Sequence, residues 1–333
     1  MTLEDFFSEW NNDSDTVLVH TSGSTGKPKP MMVEKKRMLN SARITCDFLG
    51  LKPGDSALLC MSLDYIAGKR VVVRSIERHL HLISVSPSGH PLKDINEEIT
   101  FAAMVPMQVY NTLQVPEERE RLTHIRHLII GGGAIDASLE KELRSLPGNI
   151  AIWSTYGMTE TLSHIALRRI NGAEASEWYQ PFDSVKISQT EEGCLVIEAP
   201  LVCAETLVTN DIVEIESYIY NKVEKHEKVE KLRFRIKGRK DNVICSGGIK
   251  IQIEEVEALL KPHLEKPFMI AKKKDEKFGE IAVLLSENKE IKTVEATVRR
   301  LLSDYKYWIP REFRYVEHLP LTETGKPKRS ILL

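Results

Sequence analysis

His20-Thr21-Ser22-Gly23-Ser24-Thr25-Gly26-Lys27-Pro28-Lys29 is the stretch on which the reading of this chain turns. A short apolar run, Thr16 to Val19, feeds into it. Two glycines, four hydroxyl residues and two lysines fall within ten positions. Glycines let backbone N–H groups crowd around an anion, and hydroxyls and lysines add donors and positive charge. That composition fits a polyphosphate. It is not a Walker A loop, which needs Gly, four residues, then Gly-Lys-Ser/Thr. Thr21 stands where that pattern has its first glycine, and Pro28 fills the Ser/Thr position. A plain polar turn accounts for the Gly and Ser but not for the paired lysines. A phosphate-handling enzyme outside the P-loop class is expected.

Composition narrows the class. A chain of 333 residues suggests about two domains. A net charge of −2 excludes a global basic field that would recruit nucleic acid or anionic membrane. No apolar run approaches ~20 residues, so no membrane span is expected. The start, Met1-Thr2-Leu3-Glu4-Asp5-Phe6, is acidic and lacks the basic region of a secretory signal. Cys46, Cys60, Cys194, Cys203 and Cys245 are scattered, with no Cys-x-x-Cys pair. Buried, reduced thiols in a cytoplasmic protein are the expectation. A monomer and a homo-oligomer are equally compatible with the sequence.

Beyond the loop, Met38, Ala42, Cys46 and Leu49 recur at helical spacing and predict an amphipathic helix. Lys52-Pro53-Gly54-Asp55 reads as a turn, Ser56 to Met61 as a strand, Ile66 to Ile76 as a helix and His79 to Val85 as a strand. Thr100 to Val105, Leu128 to Ile130 and Ile150 to Ser154 read as strands, with helices over Pro106 to Leu113 and Ser138 to Leu146. Alternating strand and helix predict a largely parallel sheet covered by helices. After about residue 160, Ile165 to Arg169, Val185 to Ser188, Leu195 to Glu198 and Ile212 to Glu216 suggest a smaller β-rich subdomain. Lys222 to Lys231 alternate in charge like a solvated hairpin tip. Past Gly238-Arg239-Lys240-Asp241, helices over Ile253 to Leu260 and Val294 to Ser303 and strands over Phe268 to Ala271, Ile281 to Leu285 and Phe313 to Val316 form an α+β unit. The expected fold class is α/β. Residues 1–240 form a large N-terminal domain of mixed and parallel sheets with a β-rich subdomain, and residues 241–333 a small α+β C-terminal domain joined by a hinge.

Four further clusters carry chemistry. Gly131-Gly132-Gly133-Ala134 follows a strand, where glycines let a flat ring lie close to backbone; a strand-to-helix turn reads the same way. In Tyr156-Gly157-Met158-Thr159-Glu160-Thr161, a tyrosine could stack on a base, a threonine bond a phosphate and a glutamate hold Mg2+. The same residues suit the first turn of a helix. Thr209-Asn210-Asp211 precedes a strand, and a carboxylate there can accept from a ribose diol or simply form a turn. Leu319-Pro320-Leu321-Thr322-Glu323-Thr324-Gly325-Lys326-Pro327-Lys328-Arg329 frames Lys326 between Gly and Pro, as a solvated tail or as a lysine held for a distant site.

With these motifs in this order, the chain resembles the acyl- and aryl-CoA synthetases of the adenylate-forming superfamily, from residue 16 to the C-terminus. The resemblance implies ATP, Mg2+ and coenzyme A as cosubstrates and cofactor. Thr21, Ser22, Gly23, Ser24, Thr25, Gly26 and Lys29 would hold the β- and γ-phosphates. Gly131, Gly132, Gly133, Ala134 and Tyr156 would enclose adenine, Thr159 would bond the α-phosphate, and Glu160 would hold Mg2+. Asp211 and Arg239 would bind the ribose, Asp241 would be the hinge, and Lys326 would bridge carboxylate and α-phosphate. Gly247 and Gly248 would line the pantetheine tunnel.

Within that family, the run Ser246 to Glu257 and Val105-Pro106-Met107-Gln108-Val109 are similar to the o-succinylbenzoate–CoA ligases of menaquinone synthesis. Arg74 stands where that subfamily has an arginine for the second carboxylate; a surface arginine on an amphipathic helix is the alternative. Two departures are visible. Fifteen residues precede Thr16, so part of the usual N-terminal subdomain is expected to be absent. Asp64-Tyr65-Ile66-Ala67-Gly68 replaces the family's Phe-His-x-x-Gly, putting Tyr65 at the acyl pocket. The competing readings are another acyl- or aryl-CoA ligase, an amino-acid adenylating enzyme, and a non-catalytic binder of acyl-adenylate or nucleotide. Ile66 after the pocket aromatic, where an ammonium-holding aspartate would be needed, weighs against amino acids.

Overall fold

The central strands of the chain are continuous apolar runs, so each buries both faces. The structure is a computed structural model, and it describes residues 1–20, 30–222, 227–321 and 327–329. The first part of the chain runs α1 (Leu3–Trp10), β1 (Thr16–His20), β2 (Pro30–Glu34), α2 (Lys35–Leu49), β3 (Ser56–Leu59), α3 (Ile66–Arg78), β4 (His81–Ser84), β5 (Phe101–Met104), α4 (Pro106–Leu113), α5 (Pro116–Thr123), β6 (His127–Ile130), α6 (Ala137–Arg144), β7 (Ala151–Gly157), β8 (His164–Arg169) and β9 (Gln180–Pro181). Then follow β10 (Lys186–Gln189), β11 (Cys194–Glu198), β12 (Leu207–Lys222) and β13 (Glu227–Arg239). The last part runs β14 (Val243–Ser246), β15 (Ile249–Gln252), α7 (Ile253–Leu260), β16 (Phe268–Asp275), β17 (Gly279–Ser286), α8 (Ile291–Leu301) and β18 (Glu312–Tyr315).

The chain divides into two units. One comprises Met1–Ser188, Val196–Leu207 and Ile215–Arg235; the other Gln189–Leu195, Val208–Glu214 and Ile236–Leu333. The first unit holds a seven-stranded sheet in the order β4-β3-β5-β6-β7-β8-β9. Its strands from β4 to β7 are parallel, and β8 and β9 are added antiparallel. Ala57 and Leu59, Phe101 and Ala103, and Ile129 face one core, with Met38, Ala42 and Cys46 of α2 and Val71 to Val73 of α3. Leu58, Ala102, Met104, Leu128 and Ile130 face the other, with Val109 and Leu113 of α4, Leu122 of α5 and Leu139 and Leu143 of α6. A four-stranded sheet in the order β10-β11-β12-β13 follows. In the second unit β16, β17 and β18 join β14 and β15, and α7 and α8 cover a core around Ile251, Val256, Leu284 and Val298.

The architecture is the expected α/β class, with several local differences. β8 and β9 belong to the large sheet and not to a separate β-rich part, because β7 and β8 pair as an antiparallel hairpin. Thr209-Asn210-Asp211 lies inside the sixteen-residue β12 and does not precede it. Backbone pairing carries the strand through polar residues whose side chains need no core. β12 reaches Lys222 and β13 starts at Glu227, so most of the charged run is strand, not tip. Two helices have no sequence counterpart above. α1 is started by a capping box in which Asp5 N donates to Thr2 Oγ1 (3.1 Å) and Thr2 N to Asp5 Oδ2 (2.8 Å). α5 has Pro116 at its first position. Cys46, Cys60 and Cys194 are buried and free, but Cys245 is exposed on β14, contrary to the all-buried expectation.

Candidate functional site

A cavity of about 210 Å³ opens in the first unit, where α3, the end of β6 and the end of β7 meet. Gly131, Gly132, Thr159 and Tyr65, all singled out in the sequence, line it. So do Arg70, Arg74, Ser163 and His164. Among the described residues, none that lines it is acidic.

Arg70 and Arg74 lie one turn apart on α3, and each is 2% exposed. Arg74 is therefore not the surface arginine of the alternative reading. Burial pushes its guanidinium down to about 10, and burial first, then the charge of Arg74, holds Arg70 well below its ordinary value. Arg70 donates to Met38 O (3.3 Å) and to Ser41 Oγ on α2, and Arg74 donates to Ser163 Oγ (3.1 Å). The Nε of each has no partner among the described residues. His164 has Nε2 3.1 Å from Thr45 Oγ1 and Nδ1 3.2 Å from Ser163 Oγ. Burial first, then Arg74 and Arg70, hold it well below the ordinary histidine range. The neighbouring Lys69 is different. Its Nζ donates to Glu9 Oε2 (3.2 Å) and Leu18 O (2.6 Å), so it ties α3 to α1 and β1.

The loop after β7 explains how Ser163 and His164 reach the cavity. A β-carbon at Gly157 would lie 2.3 Å from Ser163 O and 2.4 Å from His164 Cα, so no side chain fits there. The β7–β8 register shifts between Tyr156 and Gly157. Thr161 Oγ1 donates toward Met158 O (3.0 Å) and Ser163 O (2.7 Å) and accepts from Met158 N (3.1 Å), and Leu162 takes φ +61°. No helix starts at Thr159-Glu160; the expected first turn is this buckled connection. Thr159 lines the cavity and Glu160 is exposed beside it. Tyr156 lies within β7 and not after it. Its ring is buried edge-on against Tyr179 and Phe234, and Thr155, its neighbour on the other sheet face, is the residue that lines the cavity.

In the second unit the structure gathers motif residues that the sequence separates. Arg239 donates to Asp211 Oδ1 (2.9 Å) and to Asp241 Oδ2 (3.1 Å), and Asn210 Nδ2 donates to Asp241 Oδ2 (3.2 Å). Gly247 and Gly248, at φ +57° and +84°, make the two-residue turn between β14 and β15, where Ser246 pairs with Ile249. Beside that turn is a second cavity of about 350 Å³, lined by Gly247, Arg299, Lys306, Tyr307 and Arg311 among others. Thr21 to Lys29 and Thr322 to Lys326, with the expected phosphate loop and Lys326, lie outside the described residues. Their flanks are described. His20 pairs with Pro30 across β1 and β2, and Leu321 bridges Pro327. Arg329 grips both carboxylate oxygens of Glu257 and donates to Ile270 O (2.9 Å).

Arg70 and His164 were absent from the sequence reading. For Arg70 a signal is present: Arg70 and Arg74 are spaced i, i+4 around the apolar run Val71 to Val73, which puts both on one face of the helix.

A family model described as AMP-binding enzyme matches residues 6–197. A crystal structure of an acyl-CoA synthetase (AMP-forming)/AMP-acid ligase II-like protein from Dyadobacter fermentans superposes with a TM-score of 0.66 at 31% identity, over 98% of this chain and 91% of that one. The long-chain-fatty-acid–CoA ligase FadD13 of Mycobacterium tuberculosis is 26% identical over 97% of this chain and 68% of that protein. A 2-succinylbenzoate–CoA ligase of Listeria innocua is 25% identical over 98% of this chain and 72% of its own length.

Proposed function

The chain belongs to the AMP-binding enzyme family, and on that premise we propose that it is an ATP-dependent acid–CoA ligase whose acid carries a second anionic group, o-succinylbenzoate by preference. One observation carries this reading: Arg70 and Arg74, both buried, line a cavity with no acidic side chain among the described residues, and the Nε of each has no partner there. A buried cation without a counter-charge is costly. A ligand carboxylate would relieve that cost, and an alkyl chain would not. The alignment with a 2-succinylbenzoate–CoA ligase supports the same choice, and the FadD13 alignment is the counterweight. An amino-acid substrate needs an acidic group for its ammonium, which the cavity lining does not offer.

The proposed reaction has two halves. The acid's carboxylate oxygen attacks the α-phosphorus of ATP, forming acyl-adenylate and releasing pyrophosphate. The CoA thiol then attacks the acyl carbon, forming the thioester and releasing AMP. Positioning and charge stabilisation dominate such phosphorus chemistry. Residues 1–240 act as the adenylation domain and 241–333 as the domain carrying Lys326. Thr159 donates to the α-phosphate, Gly131 to Ala134 enclose adenine, with Tyr156 at the end of β7 beside them, its ring packed on Tyr179 and Phe234, and Asp211 and Arg239 hold the ribose. Thr21 to Gly26 and Lys29 hold the outer phosphates. Glu160 is a single exposed carboxylate beside Thr159, and one carboxylate plus substrate phosphates is a usual setting for Mg2+. That ion, when bound, neutralises phosphate charge. Arg299, Lys306 and Arg311 beside Gly247 suit the phosphates of CoA.

The test is pyrophosphate release from a panel of carboxylic acids, with and without CoA. o-Succinylbenzoate should release pyrophosphate and, with CoA, form thioester. Preference for a long-chain fatty acid would replace the proposed acid, and silence with every acid would leave a binding protein.

A further inference from the structure

We infer that Ser163 and His164 are positioning residues for acid recognition, holding the Arg74 guanidinium so that its remaining donors face the cavity and set the preference for a dianionic acid. The inference rests on the reading of this cavity as the acid site.

The hydrogen bonds, together with the burial of the ring, set the direction of these protons. A guanidinium only donates, so Ser163 Oγ accepts from Arg74 (3.1 Å), and it donates to His164 Nδ1 (3.2 Å) when that nitrogen carries no proton. Thr45 Oγ1 donates to Ser41 O (3.1 Å). Its contact with His164 Nε2 (3.1 Å) must then be one in which the imidazole donates. Burial beside the two guanidiniums keeps His164 neutral, and a neutral ring meets all four contacts with its proton on Nε2. The chain therefore runs from Arg74 on α3, through Ser163 and His164 at the start of β8, to Thr45 and Ser41 on α2. Arg70 closes it by donating to Ser41 Oγ.

Burial gives this chain its leverage. Thr45 is fully buried, Ser41 is 3% exposed and His164 is 8% exposed. Water cannot easily replace a missing partner at such positions. Ser163 accepts from one terminal nitrogen of Arg74 and so restrains the guanidinium, and the Nε of Arg74 has no partner among the described residues. A fixed fork recognises a carboxylate in one orientation; a free one spends conformational entropy on doing so. Loss of Ser163 or His164 should therefore cost affinity for the second anionic group and leave the rest of the acid's binding intact.

The experiment is calorimetric titration of the full chain with o-succinylbenzoate and with benzoylpropionate, the same acid without the ring carboxylate. Wild type should bind the dianion more tightly. Ser163→Ala and His164→Leu should each lower that preference about tenfold, the loss expected for one hydrogen bond to a charged group. Binding of benzoylpropionate should stay unchanged. His164→Gln, whose amide can donate to Thr45 and accept from Ser163, should restore the preference. Equal loss for both acids, an unchanged preference in Ser163→Ala, or a wild type that binds both acids alike would overturn the inference. Thermal melting separates a misfolded variant from a mispositioned arginine, and Ser163→Ala decides the matter if His164→Leu does not fold. Pyrophosphate release is read in parallel. Dianion preference without turnover would sink the ligase reading and leave this inference standing.

Discussion

Arg168 meets Glu140 with both terminal nitrogens, Nη1 to Oε1 and Nη2 to Oε2, each at 2.8 Å, and so fastens β8 to α6. Arg144 adds a third bond to the same carboxylate at 2.8 Å. The hydrogen bonds from Arg168 hold the Glu140 carboxyl down to about 2. A depressed folded-state value means the contribution is complete above the unfolded carboxyl's range, near 4.5, and fades as pH falls toward 2. Glu140→Gln should cost about 3 kcal/mol near neutrality, because it strands a buried arginine. The melting-temperature gap between wild type and variant should narrow as pH drops below about 4.5. A gap that holds constant with pH would refute the assignment.

Arg74 makes the opposite prediction for stability. It is buried, and its Nε is unpartnered among the described residues. Arg74→Met fills similar volume without a charge, so the ligand-free protein should gain about 1–2 kcal/mol and melt higher. Affinity for a dianionic acid should fall by about tenfold to a hundredfold. Calorimetry on the same samples checks both, and a variant that melts lower would show that the guanidinium is already compensated.

His164 should not titrate near neutrality. Burial and the two adjacent guanidiniums oppose its protonation. Ring nitrogen chemical shifts in labelled protein should report the neutral Nε2–H tautomer across the interval where an exposed histidine, near pH 6.5, gains its proton. Acid affinity should show no inflection there. A transition near 6.5 would contradict a neutral His164 protonated on Nε2.

Lys326 is assigned to the first half-reaction alone. Lys326→Ala should slow adenylate formation by on the order of 10²–10³. Thioester formation from presynthesised acyl-adenylate should persist. Single-turnover assays of each half separate the two, and equal loss in both would refute the division.

The α/β sheet was legible because its strands are short apolar runs such as Leu128 to Ile130, set between amphipathic helices such as Lys35–Leu49. What escaped was set by tertiary contact. Thr159-Glu160 has the composition of a helix start, but Ser163 and His164 press against Gly157 and the chain turns back into β8. Thr209 to Asp211 has the composition of a turn, but strand pairing holds it extended. Arg70 was passed over because a cation within a helix reads as solvated unless something shows that every face is covered. Here α2 covers that face, through Met38 O and Ser41 Oγ.

α3 does three jobs within six residues: Lys69 anchors it to Glu9 and Leu18, Arg70 to Met38 and Ser41, and Arg74 addresses the cavity. Anyone retargeting this pocket inherits that arrangement. The helix cannot be slid or re-tilted to admit a bulkier substrate without breaking its moorings upstream. Altered selectivity must come from exchanging what stands at a fixed station, with the backbone left where it is.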